Sequence, residues 1–137
     1  MAAAGSLFAY GTLLIGEIFS AVTGLTRQGV RARLQGYRRY RVAKQRYPAI
    51  TADATGEVSG LLYPNIRPAV WARLDAFESS LYQRITTHVR LADGSSHEAQ
   101  TYVIAPAHTS LLSDQDWDEN HFRAQGYTEY LFAGPPA

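Results

Sequence analysis

The side chains here that could carry out chemistry are carboxylates, histidines and hydroxyls. The sequence contains no cysteine, which excludes a thiolate nucleophile, a disulfide framework and Cys-based zinc or iron–sulfur ligation. His88, His97, His108 and His121 lack a spacing such as HExxH, so no metal site is expected. Asp114, Asp116 and Asp118 are spaced like the first ligands of a calcium loop. Glu119 and Gln125 stand where that loop needs glycine and glutamate, so the aspartates read instead as carboxylates favoured by a helix N-terminus. Gly11 and Gly16 are separated like the glycines of a phosphate loop, but Glu17-Ile18 replaces the required Lys-Ser/Thr. There is no Gly-x-Ser-x-Gly elbow, and Ser79-Ser80 have no neighbouring histidine to activate them.

Two candidates remain. Glu78 follows the apolar face of a helix starting at Pro68, where Val70, Leu74 and Phe77 recur at i, i+4 and i+7 with Trp71 beside them. A carboxylate at a helix C-terminus meets the negative end of the dipole. Burial beside Phe77 and Tyr82 would disfavour its charge further, so its pKa is predicted to be raised, as suits a general acid/base near neutral pH. Most helix-end glutamates are simply solvated, and taken alone the residue fits that reading better. Asp75 reads as solvated too. The second candidate is Tyr10-Gly11-Thr12-Leu13, where glycine permits a sharp turn at a strand end and backbone N–H groups could face a carboxylate or carbonyl. An ordinary strand-to-loop turn reads the same way.

The elements that must position these residues follow from periodicity. Ser6–Tyr10 reads as a short buried strand closed by Gly11. Val30, Ala32 and Leu34 alternate with Arg31, Arg33 and Gln35. After Gly36, Tyr40 and Val42 stand opposite Arg39 and Arg41, which predicts two half-buried strands with arginines facing water. Tyr47 to Gly56 reads as a loop, Glu57–Tyr63 as a strand broken by Pro64-Asn65, and Pro68 to Glu78 as the clearest helix. Ile85, Thr87, Val89 and Leu91 pair through an Asp93-Gly94 turn with Ala99, Thr101 and Val103. Ser113 and Asp116 suggest the start of a helix carrying Trp117 and Phe122 and stopping at Gly126, with Tyr127–Phe132 returning as a strand. Strands, a helix, a hairpin and a second helix, without regular βα alternation, indicate α+β with a strongly bent or barrel-like sheet and outer helices.

The 137 residues fit a single domain spanning 1–137, and 46% hydrophobic against 18% charged residues supplies a core. The net charge is +1, so no overall pull toward nucleic acid or acidic lipid is expected. Arg27, Arg31, Arg33, Arg38, Arg39, Arg41, Lys44 and Arg46 do fall in one acid-free segment. Their period-two alternation favours a solvated sheet face over a nucleic-acid patch. The opening residues carry no basic n-region, and no apolar run reaches membrane-spanning length, so a cytoplasmic protein without membrane association is expected.

Taken together, Tyr10-Gly11-Thr12-Leu13 and Leu74-Asp75-Ala76-Phe77-Glu78, followed by Tyr82 and Arg84, resemble the gamma-glutamylcyclotransferase-like family, which includes gamma-glutamylamine cyclotransferases and plant avirulence-induced proteins. Leu34-x-Gly36-Tyr37, Tyr47-Pro48-Ala49-Ile50 and Val58-x-Gly60-x-Leu62-Tyr63 extend the match through about Val103. The resemblance reverses the preference at Glu78. It implies a small mixed β-barrel with flanking helices, a Tyr10–Leu13 loop that holds the γ-glutamyl moiety, and Glu78 as acid/base. The implied reaction is attack of a substrate's α-amine on its own γ-carbonyl, releasing 5-oxoproline and an amine or amino acid, with no metal or organic cofactor. Tyr82 matches a tyrosine close to the site and is expected to bond substrate or Glu78, whereas Arg84 is expected in a structural ion pair. Ser79 departs from the glycine that many relatives carry after the glutamate. A different-class alternative is a non-catalytic barrel that binds a γ-glutamyl-like metabolite or a protein partner. The leaving group and oligomeric state are not legible, a monomer being compatible with everything above.

Overall fold

A computed structural model describes residues 5–131. Its elements are β1 (Gly5–Ala9), α1 (Gly16–Thr23), β2 (Val30–Arg41), β3 (Pro48–Ile66), α2 (Pro68–Glu78), β4 (Tyr82–Leu91), β5 (Ser96–Ile104) and α3 (Glu119–Gln125). The strands close into a barrel in the order β1-β3-β2-β4-β5. Neighbours are antiparallel except at the seam, where β1 runs parallel to β5 with Leu7 opposite Gln100.

Alternation along the strands divides the apolar residues into two cores. Phe8, Tyr10, Ala32, Leu34, Ile50, Val58, Leu62, Val89 and Ala99 form one cluster. Leu7, Ala9, Tyr63 and Ile66 point the other way, toward Ile18 and Phe19 of α1, Trp71, Leu74 and Phe77 of α2, and Phe122 of α3. Each large side chain buried in these layers contributes about 1.5–3 kcal/mol of transfer free energy. Phe19 stacks on Tyr63 with ring centroids 4.0 Å apart, which fixes α1 against β3.

The β4–β5 hairpin forms as its alternation predicts, with Ile85 opposite Thr101 and Val89 opposite His97. Helix α2 likewise begins at Pro68 and ends at Glu78. Elsewhere the structure corrects the expectations. The predicted Tyr47–Gly56 loop is strand: β3 starts at Pro48, and Asp53–Gly56 is an excursion within it, held where Asp53 Oδ1 accepts from Thr55 N (3.0 Å). Pro64-Asn65 does not end β3, because Asn65 adopts φ +60, a left-handed conformation asparagine tolerates, and the strand reaches Ile66.

In β2 the register shifts between Gln35 and Tyr37, at Gly36 with φ +87. A bulge moves the following residues to the opposite face. Tyr37 consequently packs against the Ala32–Leu34 cluster, and Arg39, expected in water, is half-buried. Helix α1 was not expected: its N-cap, Ile15, offers no side-chain acceptor, and its clearest signal is Gly24 at the C-cap with φ +73. Helix α3 starts at Glu119 and not near Ser113, because Asp118 is the residue whose carboxylate accepts from Asn120 N (2.8 Å) and His121 N (3.4 Å). Ser113 donates instead to the Arg41 carbonyl, 2.6 Å away. The expected final strand is replaced by a 3-10 turn over Thr128–Tyr130, and Phe132 lies outside the described residues.

Candidate active site

At the end of β1 the chain turns sharply into a 3-10 turn, Thr12–Leu14, closed by Leu14 N donating to Gly11 O (2.9 Å) and Ile15 N to Thr12 O (3.1 Å). The turn is fastened from four sides. The Tyr10 hydroxyl donates to Tyr102 O (2.5 Å), Arg39 donates to Tyr10 O (2.7 Å), and the Tyr63 hydroxyl donates to Leu13 O (3.0 Å). Gly11 lies flat against Pro48: a Cβ at this position would sit 2.8 Å from Pro48 Cγ, so the close approach excludes a larger residue. The N–H groups of Gly11, Thr12 and Leu13 donate to no backbone acceptor among the described residues, as expected at the start of a helical turn.

Facing this turn is the end of α2. Leu74 and Phe77 anchor the helix in the core, which brings Glu78 to its last position. The chain leaves through Ser79 at φ +66, ψ −174, a conformation that favours glycine. Ser79 N donates to Asp75 O (2.9 Å) and Tyr82 N to Ser79 O (3.3 Å), so the turn holds its shape with serine in it. One cavity is lined by Tyr10, Gly11, Thr12, Leu13, Glu78 and Tyr82, with Leu7, Phe8, Ala9, Tyr47, Pro48 and Tyr102 completing its walls. The residues singled out in the sequence therefore converge on one space, although sixty positions separate the two motifs.

Glu78 is half-buried, and its carboxylate accepts no hydrogen bond among the described residues. Burial first, and the charge of Asp75 second, push its pKa up from about 4.5 to about 8. Asp75 is exposed but not free: its Oδ1 accepts from the Tyr102 hydroxyl (2.7 Å) and pairs with Arg84 Nε (3.1 Å). Arg84 also lies over the Trp71 ring, 4.8 Å from its centroid. Burial and the nearby Glu78 charge hold the phenols of Tyr10, Tyr82 and Tyr47 above their ordinary range, so they stay protonated. The Tyr82 hydroxyl donates to Pro48 O (2.6 Å).

Four contributors were not singled out for the site in the sequence. Arg39 was hidden by the β2 bulge. Its guanidinium bridges Tyr10 O and, at 3.4 Å, Ser59 O, and lies 5.3 Å from the Trp117 ring centroid. Tyr102 sat unremarked in a regular strand. Tyr47 and Pro48 belong to a segment read as loop, and their only signal was their place in the Tyr47-Pro48-Ala49-Ile50 match. Among the described residues no cluster of three or more His, Asp or Glu could hold a metal ion. No described helix is long and apolar enough to cross a membrane.

Known proteins resemble this arrangement. A family model described as gamma-glutamyl cyclotransferase, AIG2-like, matches residues 7–119. AIG2-like protein C of Arabidopsis thaliana is 36% identical over 132 residues, covering 96% of this chain and 76% of the relative. Protein AIG2 C of the same plant is 30% identical over 99 residues, and the match spans 72% of this chain and only 60% of that protein. A solution structure from Arabidopsis thaliana superimposes with a TM-score of 0.74 at 23% identity, over 96% of this chain and 81% of the other. An AIG2-like protein from Mus musculus gives 0.66 at 21%, over 98% and 97%. A solved gamma-glutamyl cyclotransferase gives 0.65 at 20%, over 74% and 67%. At these identities the solved structures show a shared fold.

Proposed function

This chain belongs to the gamma-glutamyl cyclotransferase, AIG2-like family, and from that premise we propose that it releases 5-oxoproline and a free amine or amino acid from a γ-glutamyl substrate, with Glu78 as general acid/base. The observation that carries this reading is the position of an unpaired, half-buried carboxyl, raised to about 8, in the same cavity as the free N–H groups of Gly11 to Leu13.

Membership supports a cyclotransferase type of activity in general, and the geometry supports the finer assignment. The nucleophile and the carbonyl belong to one molecule, so the enzyme's contribution is orientation and proton transfer. Glu78 takes a proton from the substrate's α-ammonium, and the freed nitrogen forms a bond to the γ-carbon. Glu78 passes that proton to the leaving nitrogen. As the bond from the γ-carbon to that nitrogen breaks, the ring nitrogen gives up a second proton, which Glu78 relays to the released amine. The three ammonium protons end as one on the 5-oxoproline nitrogen and two on the leaving nitrogen, which departs as an ammonium, so protons and charges balance. A carboxyl with a pKa near 8 exchanges protons with an amine at little cost, whereas one near 4.5 is too weak a base. The Gly11–Leu13 amides provide donors for the substrate's carboxylate or for charge developing on its carbonyl. Tyr82, committed to Pro48 O, supports the wall beside Glu78. The free space in the cavity is about 20 Å³, room for about one water, so a γ-glutamyl group enters only as lining side chains give way.

The test is 5-oxoproline release from a panel of γ-glutamyl amines and dipeptides, with Glu78→Gln as control. Turnover by the wild type and its loss in the variant support the assignment. Turnover unchanged in the variant moves the acid/base elsewhere. Binding without turnover favours a non-catalytic module.

A further inference from the structure

Four tyrosines line the cavity, and three have hydroxyls already committed: Tyr10 to Tyr102 O, Tyr82 to Pro48 O and Tyr102 to Asp75 Oδ1. The fourth, Tyr47, is only 3% exposed, yet its hydroxyl meets no hydrogen-bond partner among the described residues. A hydroxyl sealed in a core without a partner is costly and rare. Among the described residues the side-chain polar atom in that condition is Arg46 Nε, not the Tyr47 oxygen. The Tyr47 hydroxyl therefore keeps an open surface, and the open space its residue lines is the cavity. Thr12, 7% exposed, also has an uncommitted hydroxyl on this cavity, and it belongs to the loop already discussed.

We propose that Tyr47 is a further catalytic residue, donating a hydrogen bond to the substrate's γ-carbonyl oxygen and stabilising the oxyanion formed there; this rests on the cyclotransferase reading above. Tyr47 adjoins Pro48, whose ring abuts Gly11 and whose carbonyl receives Tyr82. Tyr47 lines the same cavity as the loop that presents amide donors and the helix end that carries Glu78. Both nitrogens that Glu78 serves are bonded to the γ-carbon in the tetrahedral intermediate, and the oxyanion is on that same carbon, so the reacting centre must lie in the cavity that the Tyr47 residue also lines. The nitrogen–carbon bond forms and the carbonyl π pair moves onto oxygen. That pair returns as the leaving nitrogen departs, and the Tyr47 proton stays on its own oxygen throughout. Burial raises the pKa of this phenol above its ordinary value, so it is protonated at neutral pH, as a donor must be.

Tyr47→Phe tests the assignment on the substrate panel. The expected result is a fall of about 10²-fold in kcat and in kcat/KM together, with KM unchanged. The variant's Tm should match the wild type, because the deleted hydroxyl has no partner among the described residues, whereas Tyr82→Phe, losing its bond to Pro48, should melt lower. Wild-type turnover by Tyr47→Phe, or a rise in KM with kcat untouched, overturns the role of Tyr47 and leaves the cyclotransferase reading standing. A Tm loss in Tyr47→Phe as large as that of Tyr82→Phe also overturns it, since the hydroxyl would then be bonded inside the protein. A wild type silent on the whole panel overturns the cyclotransferase reading and this assignment with it.

Discussion

The cavity and the broad groove on the outer face hold opposite stocks of charge. Arg31, Arg38 and Arg39 line the groove together with Asp53, Glu57, Asp116, Asp118 and Glu119. The cavity contains one carboxylate, Glu78. Arg38 pairs with Asp116 at 3.6 Å, and Arg33, nearby on β2, pairs with Glu57 at 3.5 Å, all four side chains being substantially exposed. Such pairs are worth about 0–1 kcal/mol, because water screens both partners. Glu78 has no partner among the described residues and is largely withdrawn from solvent, so its protonation state responds strongly to its surroundings. The lesson is that dielectric surroundings, and not the number of charges, decide where this chain can do proton chemistry.

The sharpest way to break the contrast is Glu78→Gln, which should lower 5-oxoproline release by about 10²–10⁴-fold with the fold intact by circular dichroism. The second largest effect should appear in stability against pH. The folded-state pKa of Glu78 lies near 8, above the ordinary value near 4.5. Below about pH 4.5 the group is protonated in both states and contributes nothing. Between the two values the unfolded chain gives up the proton that the folded chain keeps, so stability falls as pH rises, by up to about 1.4 kcal/mol per pH unit. Above about pH 8 the loss is complete. Urea titrations should therefore show Glu78→Gln gaining on the wild type from pH 5 to pH 8, and parallel curves would contradict the shift.

Arg39 sharpens the comparison because it belongs to both regions, lining the groove while holding the Tyr10 carbonyl. Arg39→Met should cost about 1.5–3 kcal/mol in chemical denaturation, the range for hydrogen bonds to charged groups, and should slow turnover by loosening the Tyr10–Leu13 turn. Arg33→Ala, on the exposed face, should change stability by less than about 0.5 kcal/mol and leave turnover unaltered.

The same division governs what was legible in the sequence. Strands β4 and β5 keep strict alternation around Asp93-Gly94, so their pairing could be read directly. Strand β2 looks equally regular, but the bulge at Gly36 reverses the phase that periodicity assumes, and Arg39 changes face. Asp53 and Gly56 carry turn chemistry because they do form a turn-like excursion, within a strand that continues on either side. Helix α1 has no polar N-cap to announce it. Glu78 stood out as a candidate because a helix end is a local property, and the Tyr10–Leu13 loop because it closes a short apolar run, but only the family resemblance raised Glu78 above its ordinary solvated reading. Arg39 and Tyr102 make their contacts with residues 20 to 92 positions away, Tyr47 is enclosed by distant residues of the same cavity, and no local pattern records such partners.

The parallel seam between β1 and β5 has a kinetic consequence. Leu7 meets Gln100 there, and the Tyr10 hydroxyl reaches the Tyr102 carbonyl across 92 positions of chain. Such contacts carry a large loop-closure entropy and belong to the slow, non-local part of folding. The β4–β5 hairpin and helix α2 can form from neighbouring residues, but the space between Gly11 and Glu78 has walls only once the seam has closed. The cavity is thus tied to the completion of folding, and in a partly folded chain Glu78 lacks the burial that raises its pKa.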